Sequence, residues 1–267
     1  MEFLKVVKRR SFLSEIVYVL LNIGMAVLLM FMVRITGLLW PAFLLVLLSK
    51  WRVLAVRPRF WFANVQADLV SFIVSISYVI FMFYSNPSKI GDFQSWVAQI
   101  ALAVLYIAWL LLIRPRSKRS YVVTQAGVAL FVGMTSVYVM TYGWPSSMIV
   151  LLTWLVGYAT ARHIFSSYDE ENHVLLLSIA WGLTVAEIGW LAYHWAIAYR
   201  LPVVNNLLLP QISIVITCFG LIAFKAYDSF YHNQKIRMND ILMPLLFSIG
   251  IICVLVLAFN GYLKASI

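Results

Sequence analysis

Apolar runs recur nine times along this sequence, at 14–33, 35–49, 67–85, 95–113, 121–140, 146–161, 174–196, 207–224 and 241–260, with short polar connections between them. Hydrocarbon offers a peptide group no water to bond, so such a run crosses a bilayer as a closed helix of about 17–25 residues. Seven of the nine runs reach that length convincingly, and 35–49 and 146–161 are short. The expected fold is therefore all-α: a single polytopic transmembrane domain of nine helices over residues 1–267.

Composition excludes the main alternatives. Hydrophobic residues make up 63% of the 267 residues, charged residues 11%, and the mean hydropathy is +0.92. That leaves too little polar surface for a water-soluble globule, and the same numbers exclude disorder and a disulfide scaffold. Cys218 and Cys253 both fall inside apolar runs and define no disulfide framework. The formal charge of +10 sits in short loops. It reads as orientation and contact with anionic lipid head groups, with no nucleic-acid motif beside it. Lys5, Lys8, Arg9 and Arg10 precede the first run as in a secretory signal, but that run is long and no small-x-small site follows, so it reads as a retained helix.

Charge also sets the orientation. With the N-terminus cytoplasmic and nine spans, only Arg34, Lys89, Arg200 and Lys264 of the 20 Lys and Arg residues lie outside, and the C-terminus is outside too. If 35–49 did not span, 13 would lie outside, against the positive-inside rule. The first two spans then form a tight hairpin around Arg34-Ile35-Thr36-Gly37. Aromatic residues cluster at expected outer ends (Phe83, Tyr84, Tyr142, Trp144, Trp190, Tyr193, Trp195, Tyr199) and at an inner one (Trp51, Phe60, Trp61, Phe62), as interface anchors do. The compact loops and clear bias suggest a prokaryotic plasma membrane.

Two basic turns carry the same tripeptide, Arg57-Pro58-Arg59 and Arg114-Pro115-Arg116, the second followed by Lys118 and Arg119. Gln66-Ala67, Phe72, Ser77 and Tyr78-Val79 follow the first. Gln125-Ala126, Phe131, Ser136 and Tyr138-Val139 follow the second. The order suggests a parallel repeat of helical hairpins. It is equally read as two basic stop signals, each followed by a helix. Either way these arginines and Lys118 are assigned to lipid head groups and orientation.

Ionisable groups at membrane depth are costly and are candidate functional groups. Glu187 lies inside the seventh run with Thr184 at i−3 and His194 at i+7 on one face. This stripe is the candidate proton or substrate site. The alternative is an interhelical hydrogen-bonding role, with Arg34 as the intramembrane partner or Asn22, Gln99 or Gln125 in its place. A neighbouring face carries Ser178, Gly182 and Ala186, a small-residue run that admits close helix approach. The seventh run is thus the expected packing centre, with Glu187 directed inward. Asp68 is expected to cap its helix or meet Arg57 or Arg59. Within His163–His173, Asp169, Glu170 and Glu171 could suggest a metal site, but Ser167 and Glu170 read better as a capping box. Asn239 and Asp240 suit the start of the last span, and Pro41 and Pro244 fall near helix starts, where proline is tolerated.

No phosphate-binding loop, zinc-protease helix or nucleophile elbow is present, so no cofactor or metal is expected. The leading expectation is a non-enzymatic scaffold or the membrane subunit of a larger assembly, with protein partners or copies of itself. The alternative is a small-molecule or proton-coupled transporter using Glu187 and His194. A membrane enzyme on a lipid-linked substrate, lined by Asp68, Glu187 or His194, is a third.

Overall fold

A computed structural model describes residues 12–51, 55, 57, 59, 61–86, 93–168, 171–194, 197–201 and 204–259. The expectations resting on Lys5 to Arg10, Pro58, Phe60, Lys89, Asp169, Glu170, Trp195 and Lys264 lie outside the described residues, as do the side chains of Arg200 and its neighbours. The chain is almost entirely helical. The helices are α1 (Phe12–Thr36), α2 (Leu39–Ser49), α3 (Trp61–Tyr84), α4 (Phe93–Ala108), α5 (Arg119–Met140), α6 (Ser146–Phe165), α7 (Val174–His194), α8 (Gln211–Asn233) and α9 (Met238–Phe259). A π-turn at Trp109–Ile113 extends α4. Among the described residues eight helices, counting α4 with its π-turn, are long and apolar enough to cross a membrane.

The exception is α2. Its 11 residues reach about 16 Å at 1.5 Å per residue, roughly half of a hydrocarbon core. The return it begins is nonetheless required. The Arg34 guanidinium in the last turn of α1 donates to Gln99 Oε1 at 2.9 Å, and Gln99 Nε2 donates to the Met82 carbonyl in the last turn of α3 at 3.1 Å. The ends of α1 and α3 therefore lie together, and the chain between them must come back. Gly37, at φ +61°, makes the turn that a side chain would strain.

From α3 onward the helices alternate in direction. Arg57, Arg59, Arg114, Arg116, Lys118, Arg119, Arg162, Lys225, Lys235 and Arg237 gather at one end of the bundle, hereafter the basic end. Gly143, at φ +82°, turns the chain at the opposite end, where Tyr142 and Trp144 are exposed.

At that opposite end the sequence expectation of a helix from 207 is corrected. Residues Ala198–Leu201 and Val204–Pro210 form an antiparallel hairpin, with Tyr199 opposite Leu209 and Arg200 opposite Leu208. Pro210 lacks an N–H and holds Leu209 extended, so α8 starts only at Gln211, whose N–H bonds the Ile197 carbonyl at 2.8 Å. Leu207 from the hairpin seals one of the two apolar cores. The last helix starts earlier than expected, at Met238, so Pro244 lies inside it rather than near its start.

The packing centre also differs from expectation. Over their most apolar windows α3 and α5 each bury 61%, against 28% for α7 and 17% for α9. One core lies among α1 to α5, the other among α3, α5, α6, α7 and α8. The repeat positions Ser77 and Ser136 meet where α3 and α5 cross, with hydroxyls 2.9 Å apart. The small-residue run on α7 does what its pattern implied, at the periphery. Gly182 lies against Trp154, and a Cβ on Gly157 would sit 2.8 Å from Val185 Cβ. Small residues let two backbones approach this closely.

Candidate functional site

Glu187, Thr184 and His194 share one face of α7, and that face is exposed rather than inward. Leu183, Trp190 and Leu191 flank them, also exposed. The expected inward orientation is therefore corrected: Ser178, Gly182, Val185, Ala186 and Gly189 take the buried face, where the glycines let α6 approach. Glu187 lies seven residues from the end of α7 at His194, about 10 Å from it along the axis and so within the apolar length. His194 stands against the Trp190 and Tyr193 rings. Two helical turns separate it from Glu187.

The partners anticipated for Glu187 are engaged elsewhere. Arg34 bonds Gln99, reaches Ser95 at 3.5 Å and covers the Trp96 ring at 3.6 Å. Asn22 bonds the Tyr18 carbonyl. Gln125 donates to the Ile113 and Arg116 carbonyls at 2.8 and 2.9 Å, and its Oε1 accepts from His163 Nε2–H at 2.8 Å. It closes the end of α4, where the π-turn frees carbonyl groups, and joins it to α6.

Asp68 meets neither Arg57 nor Arg59. Lys50 Nζ pairs with it at 2.7 Å and donates to Ser71 Oγ, also at 2.7 Å. The burial of Lys50, in what the sequence reads as a polar loop, follows from the shortness of α2, which ends beside α3 rather than beyond it. From Ser71 the polar track continues inside α3. Ser75 Oγ donates to the Ser71 carbonyl, and Tyr106 OH donates to Ser75 Oγ at 3.0 Å.

A further cluster lies at the basic end. Arg119 pairs with Asp228 of α8 and covers the Tyr168 ring at 4.1 Å, while Tyr168 OH donates to Asp228 at 3.2 Å. Burial pushes the Tyr168 phenol up to about 12. Tyr227 donates to Glu171, and this bond, with that from the His173 N–H, holds the Glu171 carboxyl below the usual range. Ser229 donates to Asp240 at 2.7 Å and ties in α9. Arg119 thus serves as an internal clasp as well as a basic-end charge. Arg116 covers Tyr121 at 4.6 Å, Arg114 is half-buried, and Arg57, Arg59 and Lys118 are exposed. Sequence gave no signal for Asp228, which is far from Arg119 along the chain.

Directly beyond this cluster a slot of about 500 Å³ runs between α5, α6, α8 and α9, with Trp181 of α7 in its wall. It is open on one side, and α9 packs chiefly on α8. Three threonines line it, yet Thr124, Thr160 and Thr217 each donate to their own helix backbone. The wall therefore asks for no water. Among the described residues no group of three or more His, Cys, Asp or Glu side chains is placed to hold a metal ion. No protein-family model matches this chain, and no curated protein or solved structure is significantly similar to it.

Proposed function

We propose that this chain is the membrane subunit of a larger assembly, docking through the exposed face of α7. The observation that carries this is Glu187: a carboxyl turned out of its own bundle within an apolar helix. An ionisable group at membrane depth costs about 2.5–3.5 kcal/mol on insertion scales, and such groups face protein or water rather than lipid. Trp190 adds an indole N–H to the same face, and Thr184 Oγ1, which donates to the Ala180 carbonyl at 3.0 Å, keeps its capacity to accept. A partner helix offering a donor to Glu187 would remove the penalty. The partner is a second copy of this chain or another membrane protein.

The proposal includes nine crossings of a prokaryotic plasma membrane, with the basic end cytoplasmic and its arginines at anionic head groups. The meeting of Ser77 with Ser136 is consistent with a parallel repeat. A transporter built on Glu187 and His194 receives less support, because an outward carboxyl two turns from its histidine lines no path through the bundle.

A photoreactive residue replacing Thr184, activated in intact membranes, tests the docking face. A protein adduct that disappears on Glu187→Leu, with the extracted protein still helical and monodisperse, is expected. Adducts with lipid alone would overturn the proposal.

A further inference from the structure

We infer that the slot between α5, α8 and α9 holds an acyl chain of an anionic phospholipid whose head group rests at the basic end. Three observations converge. The slot has the length of one leaflet: its wall runs along α8 from Ile214 to Phe224 and along α5 from Val123 to Phe131. Those stretches are about 15 and 12 Å at 1.5 Å per residue, against a half-core of about 15 Å. The wall is apolar, its threonines are satisfied internally, and the open side faces whatever surrounds the bundle. In a bilayer that medium is lipid, and a void of this size left empty would forfeit the contacts of its whole lining. Ligand pockets commonly fall in this size range.

The third observation is charge. Lys225 follows Phe224 and continues the slot-facing stripe of α8, four residues beyond Leu221. It lines a polar recess with Asp228, Ser229, His232, Asn233 and Asp240. Asp228 is taken by Arg119 and Asp240 by Ser229, whereas Lys225 has no carboxylate partner among the described residues. Lys118, Lys235 and Arg237 stand at the same end. A phosphate at the mouth of the slot meets an ammonium that, among the described residues, contacts only the Phe224 ring, at 5.7 Å, and basic pockets between helices at this level are suited to anionic head groups.

Trp181 and Gly127 make the site measurable. Gly127 lines the slot, and a Cβ there would meet nothing within 4 Å, so a larger side chain fills the slot without displacing a neighbour. The full chain is reconstituted in phosphatidylcholine bilayers doped with phosphatidylglycerol, with mid-chain bromines on one lipid or the other. The emission of Trp181, read as wild type minus Trp181→Phe, is expected to be quenched, and more strongly by the brominated phosphatidylglycerol. Gly127→Leu should abolish that quenching, with Thr124→Phe as a second filling variant should the first not fold. Lys225→Gln should cut the preference for phosphatidylglycerol about fivefold, the worth of one lysine at an anionic surface. Unquenched Trp181 emission in the wild type, or quenching that persists in folded filled variants, overturns the acyl-chain assignment. Equal quenching by the two lipids overturns the head-group assignment. Neither readout involves Glu187, so failure here is distinguishable from failure of the docking proposal.

Discussion

Removing either member of the Lys50–Asp68 pair should destabilise the bundle, and by unequal amounts. The Lys50 side chain is 11% exposed and Asp68 28%, and Lys50 also supplies the donor to Ser71. Breaking a buried pair costs about 3–5 kcal/mol, because the remaining charge is left without compensation. The more exposed Asp68 retains access to water, so Lys50→Met should fall below that range, at about 2 kcal/mol. Asp68→Asn strands the deeper ammonium and should cost about 3–4 kcal/mol. Replacing both, as Lys50→Met with Asp68→Asn, leaves no stranded charge and should return to within about 1 kcal/mol of wild type. Denaturant unfolding in mixed micelles, followed by far-UV circular dichroism across the four proteins, gives the cycle. Equal losses for the two single variants, or a double variant as unstable as their sum, would refute the reasoning, since either means that the charges are solvated separately.

The other predictions concern packing and pH. Gly157→Ala places a methyl 2.8 Å from Val185 Cβ and 3.2 Å from Gly182 Cα. Separating α6 from α7 should cost about 1–3 kcal/mol despite the better helix propensity of alanine, and Val185→Ala should recover part of it. A Gly157→Ala protein as stable as wild type would show that the helices are not tightly apposed. At the basic end the Glu171 carboxyl is held below its usual value of 4.5 in the folded state. Its contribution is therefore fully present above the unfolded-state value and lost as pH falls through the lower folded one. The stability difference between wild type and Glu171→Gln should be constant from neutral pH to about pH 5 and then shrink on acidification, as thermal unfolding in detergent would read. A difference that grows on acidification contradicts the Tyr227 bond.

The helical, membrane-like character of the chain was legible because it rests on a long-range regularity, namely apolar runs of suitable length. What failed depended on neighbours the sequence does not identify. Glu187 looked inward on the assumption that polar groups avoid lipid, yet the glycine and alanine positions beside it decided which face of α7 could meet α6. Lys50 looked like a loop charge because nothing in its neighbourhood discloses that α2 stops beside α3. The start of α8 was misplaced by reading Leu207 to Leu209 as apolar helix without giving Pro210 its weight as a helix stop. The clasp of Arg119 on Asp228 joins residues on different helices and leaves no periodic trace.

These particulars divide the bundle unevenly. Around α1 to α5 the polar groups meet one another: Arg34 with Gln99, Lys50 with Asp68, Tyr106 with Ser75, Ser77 with Ser136. Helices in lipid gain little from burying apolar surface and are held by close packing and by such contacts. On the other side α9 packs chiefly on α8, the slot stands open beside it, and α7 presents an unmatched carboxyl. A helix held on one flank, and a carboxyl with no partner among the described residues, are where contacts from outside the chain would add most. The acyl chain and the docking partner proposed above both fall on this half.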